Sequence, residues 1–568
     1  MENHLTLRDR FSESPMTQQS QILLAEQGEE NFVCFLEDNA RRLGAKPALL
    51  WDGGELSWAE LDQRAAGFAL FLAGQGVRPG DRIATLIPNR WTFAVALLGI
   101  LKLGATAATL HPTLRPEELA EVLGDLRPRL LVDDVTADPS TRAPALAGGS
   151  RAGFRPTGVV EGPTGLPVGL HEGGWKTPRL ASSPALIVYT SGSTGRPKGS
   201  VFSHAAFTFA NRAWGGPVMG VKPDDVVLGV LPHAHNYGMN AGLLAPLLFG
   251  ARVVIVEHFT PEAVLETIEK HRVTIFPGVA TTFRRLLSSP AFASADLSSL
   301  RLAVSGAAPC PWELCEEWRK KTGTRILRGY GMTEVPRPIS YFADDSNDVP
   351  DAIGRAIPDA RVQVVDDEGR PLACGEVGEL WINCPGATSG YLDALEETRA
   401  VLSDGWFKTG DLASISPGEF VQIMGRKRER ILRGGYSVFP QEIERVLLFH
   451  PAIAEAAVVG VPSPDLNEEV AAFVTLKPGA NASAEELLSF CQGHLAHFKF
   501  PRYVIILEEL PKGASGKVVK AELLKRQCLR KPQGDTEKAA QMVPRTEPSS
   551  RTQSGPDQSN KTTSRTGI

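Results

Sequence analysis

Tyr189-Thr-Ser-Gly-Ser-Thr-Gly-Arg-Pro-Lys-Gly199 is the stretch on which the reading of this chain turns. Gly192, Gly195 and Gly199 accept positive φ and leave backbone N–H groups free, Ser191, Ser193 and Thr194 add hydroxyl donors, and Lys198 adds a mobile ammonium. Such donors on a pliable loop suit a polyphosphate, so the ligand it points to is a nucleotide. Ahead of it, Ala185-Leu-Ile-Val-Tyr189 is a short apolar, β-branched run, predicted as a buried strand that delivers the loop at its carboxyl end. The spacing Gly-x-x-x-x-Gly-Lys-Ser/Thr is absent from this stretch, which removes the main support for a kinase or GTPase of the P-loop kind.

Further constellations lie downstream. In Arg328-Gly-Tyr-Gly-Met-Thr-Glu334 two glycines flank Tyr330, so an aromatic face, the Thr333 hydroxyl and the Glu334 carboxylate can emerge from a single turn. Val304-Ser-Gly-Ala-Ala-Pro309 is a run of small residues that lets a flat ring or an acyl chain approach the backbone. In Trp406-Phe-Lys-Thr-Gly-Asp-Leu412 a Gly precedes an acid suited to sugar hydroxyls, because both carboxylate oxygens accept hydrogen bonds. Gly425-Arg-Lys-Arg-Glu-Arg-Ile-Leu-Arg-Gly-Gly-Tyr-Ser-Val-Phe-Pro-Gln-Glu-Ile-Glu444 reads as a turn, a strand, a Gly-Gly loop and a helix starting near Pro440. Leu510-Pro-Lys-Gly-Ala-Ser-Gly-Lys-Val518 presents two lysines on a glycine-bearing loop, and Leu231-Pro-His-Ala-His-Asn-Tyr-Gly238 carries two histidines ahead of an apolar segment.

Taken together and in their order along the chain, over about 500 residues, these motifs resemble those of the adenylate-forming (AMP-binding, ANL) superfamily, which contains acyl-CoA synthetases, adenylation domains and luciferases. The resemblance implies an α/β fold with a large, multi-subdomain N-terminal domain of parallel α/β sheets plus a β-rich subdomain, and a small α+β C-terminal domain joined by a hinge. The expected boundaries are a flexible arm at 1–30, an adenylation domain at 31–425 with its β-rich part at about 350–424, a hinge at 426–428, a mobile domain at 429–528 and a disordered tail at 529–568. It also implies that Thr190, Ser191, Gly192, Ser193, Thr194, Gly195 and Lys198 hold the ATP phosphates. Gly306, Ala307 and Ala308 with Tyr330, Gly331, Met332 and Thr333 would wall the adenine and α-phosphate, Asp411 and Arg426 would bind ribose, and Glu334 with Thr190 would hold Mg²⁺. Lys517 would bridge the acid and the α-phosphate, because a cation touching both offsets the repulsion between a weak carboxylate nucleophile and an anionic phosphorus. Lys512 is read as a surface charge. His235, with Asn236, Ser305 and Gly306, would form the acyl pocket and its gate, with His233 a bystander. Gly434, Gly435 and Tyr436 would line the CoA tunnel after rotation at Arg428, a hinge position commonly Asp or Lys in relatives.

The implied activity is an ATP-dependent acyl-CoA synthetase that passes through an acyl-adenylate. No Arg or Lys falls in Met239–Phe249, which favours an apolar monocarboxylic acid, a medium- or long-chain fatty acid first and an aryl acid second. Other readings are an acyl-AMP ligase that loads a carrier protein and a nucleotide-binding protein without turnover.

Composition agrees with a soluble globular protein. At 568 residues the chain needs two or more cores, and 42% hydrophobic with 22% charged residues is a globular balance. A net charge of −5 argues against a nucleic-acid partner. Seven cysteines without a Cys-x-x-Cys pair favour reduced thiols in a cytoplasmic setting, and Met1–Gln21 lacks the apolar core of a secretory signal. The most apolar window, Phe93–Leu110, contains Lys102 and is predicted as a buried helix and not a membrane span. Residues 31 to about 135 alternate helical and strand patterns, as in Leu56–Ala69 and Arg82–Ile87, about 137–183 is rich in Pro and Gly, and alternation resumes from 184 to about 340.

Overall fold

A computed structural model describes residues 31–133, 159–161, 183–191, 196–345, 348–434, 436–463, 465–512 and 518–525. The expected arm at 1–30, the tail from 529 and nearly all of the Pro/Gly-rich stretch at 137–183 lie outside the described residues. The chain divides into two compact units, one ending at Arg428 and the other starting at Glu429.

Two seven-stranded sheets dominate the first unit. One runs in the order Ile326–Leu327, Leu302–Ser305, Ile275–Gly278, Val226–Gly229, Arg252–Ile255, Pro47–Trp51, Gly54–Ser57, parallel except at its last pair. The other runs Gly390–Tyr391, Pro197–Ser203, Pro184–Ser191, Thr106–Thr109, Arg82–Leu86, Leu130–Asp133, Val159–Glu161. Its strands from Pro184–Ser191 onward are parallel, and the first two pairings are antiparallel. Four-residue runs such as Val226–Gly229 and Leu302–Ser305 are buried throughout, as strands covered on both faces must be.

One core serves both sheets: Leu49, Val253 and Ile255 from the first meet Ile83, Ala107, Leu186 and Val188 from the second through shared helices. Helix Trp58–Gly74 starts where Ser57 caps it, Ser57 Oγ accepting from Glu60 N–H at 3.2 Å while Glu60 Oε2 accepts from Ser57 N–H at 2.8 Å. The window Phe93–Leu110 is a helix, Trp91–Leu103, followed by the strand Thr106–Thr109. Every residue from Thr92 to Leu103 is buried, which explains a helix apolar on all sides. Lys102 is tolerated inside because its ammonium meets Glu37 and, at 2.9 Å, Asp62. Among the described residues no helix is long and apolar enough to cross a membrane.

From 355 to 426 the chain is rich in strands, interrupted by the short helix Leu395–Val401. Arg361–Val365, Gly378–Asn383, Trp406–Ile415, Leu402–Ser403 and Val421–Arg426 form one antiparallel sheet. Asp366, whose Oδ1 accepts from Glu368 N–H and Arg370 N–H at 3.0 and 2.8 Å, makes the turn after the first of these.

The second unit is α+β. Strands Ile453–Ser463 and Asn467–Leu476 form its central hairpin, extended by Ile431–Arg433, Tyr436–Val438 and Tyr503–Ile506. Helices Pro440–Phe449 and Ala484–His494 contribute Ile443, Leu447, Leu487 and Cys491 to the core against Val458, Val470 and Val474.

Two fully buried histidines give the first unit an acid sensitivity. Burial lowers His204 to about 4 and His233 to about 3, from 6.5. The fold therefore holds both rings neutral, and the unfolded chain binds more protons below pH 6.5. Stability from these rings is complete above pH 6.5 and falls as pH drops towards their folded values, by about 1.4 kcal/mol per pH unit for each. Denaturant unfolding at pH 7.0, 6.0 and 5.0, above most carboxylate titration, is expected to show this decline. His233→Phe is expected to flatten it, and an unchanged slope in that variant would remove His233 as a source.

Candidate active site

The glycine-rich stretch is a β-hairpin: Thr190 pairs with Lys198 and Ser191 with Pro197 across it. A strand, not a helix, follows the loop, a second structural difference from a P-loop NTPase. Gly192, Ser193, Thr194 and Gly195, and the side chains of Thr190 and Ser191, lie outside the described residues. Tyr189 at the hairpin's base donates its hydroxyl to Asp125 Oδ2 at 2.6 Å.

Lys198 stands half-buried with its ammonium 5.3 Å from the centre of the Tyr391 ring. Tyr391 in turn donates its hydroxyl to Glu334 Oε1 at 2.8 Å, and burial together with the Glu334 charge raises its pKa. The two-residue strand Gly390–Tyr391 is fixed against Ser200 and Val201, and Thr388 N–H binds the Glu334 carbonyl at 2.7 Å. This brings a cation and a carboxylate from motifs more than a hundred residues apart to one aromatic ring. The sequence reading missed Tyr391, whose only signal was the short Gly-Tyr pair after Thr388 and Ser389.

The second centre surrounds Asp411. Its motif, Thr409-Gly410-Asp411, lies within strand Trp406–Ile415 and faces Arg426 across the sheet. Asp411 Oδ1 accepts from Arg426 Nε at 2.8 Å, and Oδ2 accepts from the Tyr330 hydroxyl. Thr409 holds the backbone, its Oγ1 accepting from Asp411 N–H at 3.0 Å and donating to the Leu380 carbonyl at 2.7 Å. Burial and the adjoining carboxylate raise Tyr330 well above an ordinary phenol.

The third centre gathers 235–237, 304–306 and 333–337. Asn236 Nδ2 donates to the Thr333 carbonyl at 2.9 Å, and its Oδ1 accepts from Asn240 at 2.6 Å. Tyr237 stacks on Trp214 with centroids 5.4 Å apart, and its hydroxyl lies 2.9 Å from the Val304 carbonyl. Gly306 is buried where a Cβ would come within 3.2 Å of the Tyr237 ring and 3.3 Å of Arg337 Nη1. Its neighbours Ala307 and Ala308 are exposed, Ala307 with φ of 63°. His235 is exposed, its Nδ1 accepting from Tyr237 N–H at 3.2 Å, whereas His233 is buried against Phe93 with neither ring nitrogen partnered among the described residues. Gly331 and Gly329 are needed for packing: a Cβ on either would fall 2.4 Å from Arg337 N or 2.5 Å from Arg337 Cζ. Met332 N–H closes the turn on the Val335 carbonyl at 3.1 Å.

In the second unit, Gly434 takes φ of 55° and donates its N–H to the Leu466 carbonyl at 2.8 Å. Tyr436 is exposed and stacks on Phe498 at 4.6 Å. Gly435 and Lys517 lie outside the described residues, the latter in a segment flanked by a bridge between Lys512 and Val518. Lys512 pairs with Glu455 at 2.7 Å. Arg428 is exposed, at the last position of the first unit.

For Mg²⁺ the donor set fits. Glu334 is half-buried and one of its oxygens carries the Tyr391 bond, which leaves the other for a hard cation. No group of three metal-ligating side chains exists among the described residues, so phosphate and water oxygens would complete the shell, the usual arrangement for this ion.

A glycine-serine hairpin, an aromatic turn with its acid, and a ribose-type carboxylate on a β-rich sheet define the adenylate-forming class. The chain belongs to the AMP-binding enzyme family, whose pattern matches residues 36–392, followed by that of the AMP-binding enzyme C-terminal domain at 442–517. It is an AMP-forming acid–thiol ligase. Feruloyl-CoA synthase from an Amycolatopsis species is 34% identical over 84% of this chain and 94% of its own length. A long-chain-fatty-acid–CoA ligase from Yersinia pestis is 30% identical over 87% and 94%. The crystal structure of ATP-bound MatB from Rhodopseudomonas palustris superposes with a TM-score of 0.79 at 32% identity, covering 87% of this chain and 98% of that one.

Proposed function

We propose that the protein condenses a carboxylic acid with ATP to an acyl-adenylate and pyrophosphate, and then transfers the acyl group to the thiol of CoA. The observation that carries this reading is the convergence of Lys198, Tyr391 and Glu334, because it sets a phosphate-binding cation beside a carboxylate suited to Mg²⁺. When bound, Mg²⁺ would spread the charge of the phosphates and the leaving pyrophosphate. Tyr330 would stack on adenine while Asp411 and Arg426 receive the ribose diol. Thr190 and the Ser191–Gly195 loop would hold the phosphates, and Thr333 the α-phosphate. Lys517 would neutralise the approach of the acid carboxylate to phosphorus, and His235 would gate its entry. After chemistry at phosphorus, rotation at Arg428 would replace Lys517 by Gly434, Gly435 and Tyr436 for thiol attack. The leaving AMP carries away the electron pair of the acyl–oxygen bond as the thioester forms.

Fatty acids and aryl acids both remain within the apolar pocket reading, and the stacked Trp214–Tyr237 pair against Gly306 favours a flat, aryl acid over a flexible chain. The test is pyrophosphate release by the purified protein with ATP, Mg²⁺ and a panel of straight-chain and aryl carboxylates, with and without CoA. Acid-dependent release stimulated by CoA is expected. Release indifferent to CoA would point to a carrier protein or another acceptor, and silence across the panel would defeat the reading.

A further inference from the structure

Among the described residues, Arg337 is the most deeply buried guanidinium of the first unit. It is 4% exposed, and its three bonds all end on neutral oxygens: Nε to Ser340 Oγ at 2.9 Å, Nη1 to the Ser305 carbonyl at 2.9 Å and Nη2 to the Leu327 carbonyl at 3.2 Å. Its Cζ lies over the Trp214 ring, 4.6 Å from the ring centre. Arg325 pairs with Asp348 at 2.7 Å, Arg301 with Asp225 at 2.5 Å and Arg433 with Glu469 at 2.6 Å, whereas Arg328, 5% exposed, resembles Arg337 in donating to carbonyls, those of Val349 and Pro350. Arg337 has no carboxylate within ion-pair distance among the described residues. Burial lowers it to about 10, which still leaves it charged at neutral pH.

Burying an unpaired charge is costly, and the fold goes to lengths to keep this one. Arg337 itself has φ of 44°, a left-handed conformation uncommon for a side chain of its size, and Gly329 and Gly331 are bare where it packs. A guanidinium has five N–H donors. Among the described residues three are engaged, which leaves one on each terminal nitrogen. Nη1 lies beside Gly306, on the wall shared with Tyr237 and Trp214.

We propose that Arg337 is a specificity residue that binds an oxygen acceptor, a carboxylate or a hydroxyl, at the end of the acid substrate remote from its reacting carboxyl. The inference rests on the acid–CoA ligase reading and narrows its substrate to aryl or cyclic acids with a distal polar group. It also changes the expectation of a wholly apolar pocket, which came from the lack of a basic residue in Met239–Phe249; the cation enters from Arg337, beyond the nucleotide motif.

Matched acids test it: benzoate against 4-carboxybenzoate, and cinnamate against 4-hydroxycinnamate, with kcat/KM read by pyrophosphate release on the full chain. The unaltered protein is expected to prefer the distally oxygenated member of at least one pair by about 10–100-fold, the worth of a hydrogen bond to a charged group. Arg337→Met is expected to abolish that preference while retaining activity on the unsubstituted acid. Arg337→Lys keeps the charge without the forked geometry, and the preference is expected to fall there too; it serves if thermal unfolding shows that the Met variant does not fold. Activity without preference in the unaltered protein overturns the inference and leaves the ligase reading standing. So does an equal loss on both members of each pair, which would make Arg337 a pin between Ser305, Leu327 and Ser340. Silence on every acid brings down both.

Discussion

Lys517→Ala is expected to lower acid-dependent pyrophosphate release by about 10²–10³-fold, the usual cost of removing one preorganised electrostatic group aimed at developing charge. Thioester formation from supplied acyl-adenylate and CoA is expected to stay within a few-fold, because no anion then has to approach the phosphorus. Lys512→Ala is the matched control: it removes a cation from the same sequence neighbourhood, but one paired with Glu455 at 2.7 Å, and surface pairs contribute little. Single-turnover measurement of the two half-reactions separates the cases. Equal loss in both would remove Lys517 from the adenylation step.

Glu334→Gln is expected to have the other large effect, a fall of about 10²-fold or more in adenylation accompanied by a higher Mg²⁺ requirement. The amide preserves the size of the side chain and can still accept the Tyr391 hydroxyl, so the change isolates charge. Tyr391→Phe performs the complementary subtraction: it leaves an aromatic face beneath Lys198 and removes only the hydrogen bond to Glu334. A loss of about 10-fold is expected there, the scale of one hydrogen bond to a charged group. Titrating Mg²⁺ against pyrophosphate release for both variants is the check. A Glu334→Gln protein with an unshifted Mg²⁺ requirement would deny that residue its metal.

Local chemistry was legible where a motif concentrates it in a few consecutive residues. The apolar run before the glycine-rich loop, the strand near Arg82, the turn at Asp366 and the helix near Pro440 all declare themselves through short-range patterns, and the structure has each of them. Long-range pairing carries no such local mark. Tyr391 reaches Glu334 only because a two-residue strand pairs with Ser200 and Val201, almost two hundred positions earlier. Phe93–Leu110 reads as one helix because burial on all sides erases periodicity, and Ala105 and Thr106 give no break stronger than Gly104, whose left-handed φ of 78° ends the helix. Arg337 resisted for the opposite reason. A charged residue in isolation suggests a solvated surface, and only its burial between Gly329 and the Trp214 ring shows otherwise.

Both oxygens of Asp411 carry protein donors: Arg426 Nε lies on one and the Tyr330 hydroxyl on the other. Each carboxylate oxygen still has a second lone pair, so on the proposed reading a ribose diol would add its hydrogen bonds to an acid that the protein already holds in place. The two donors also keep the acid aimed, which would spare the site a reorganisation at each turnover. On the proposed reading the base against Tyr330 and the phosphates beside Lys198 would flank a sugar whose alignment this pre-set acid fixes.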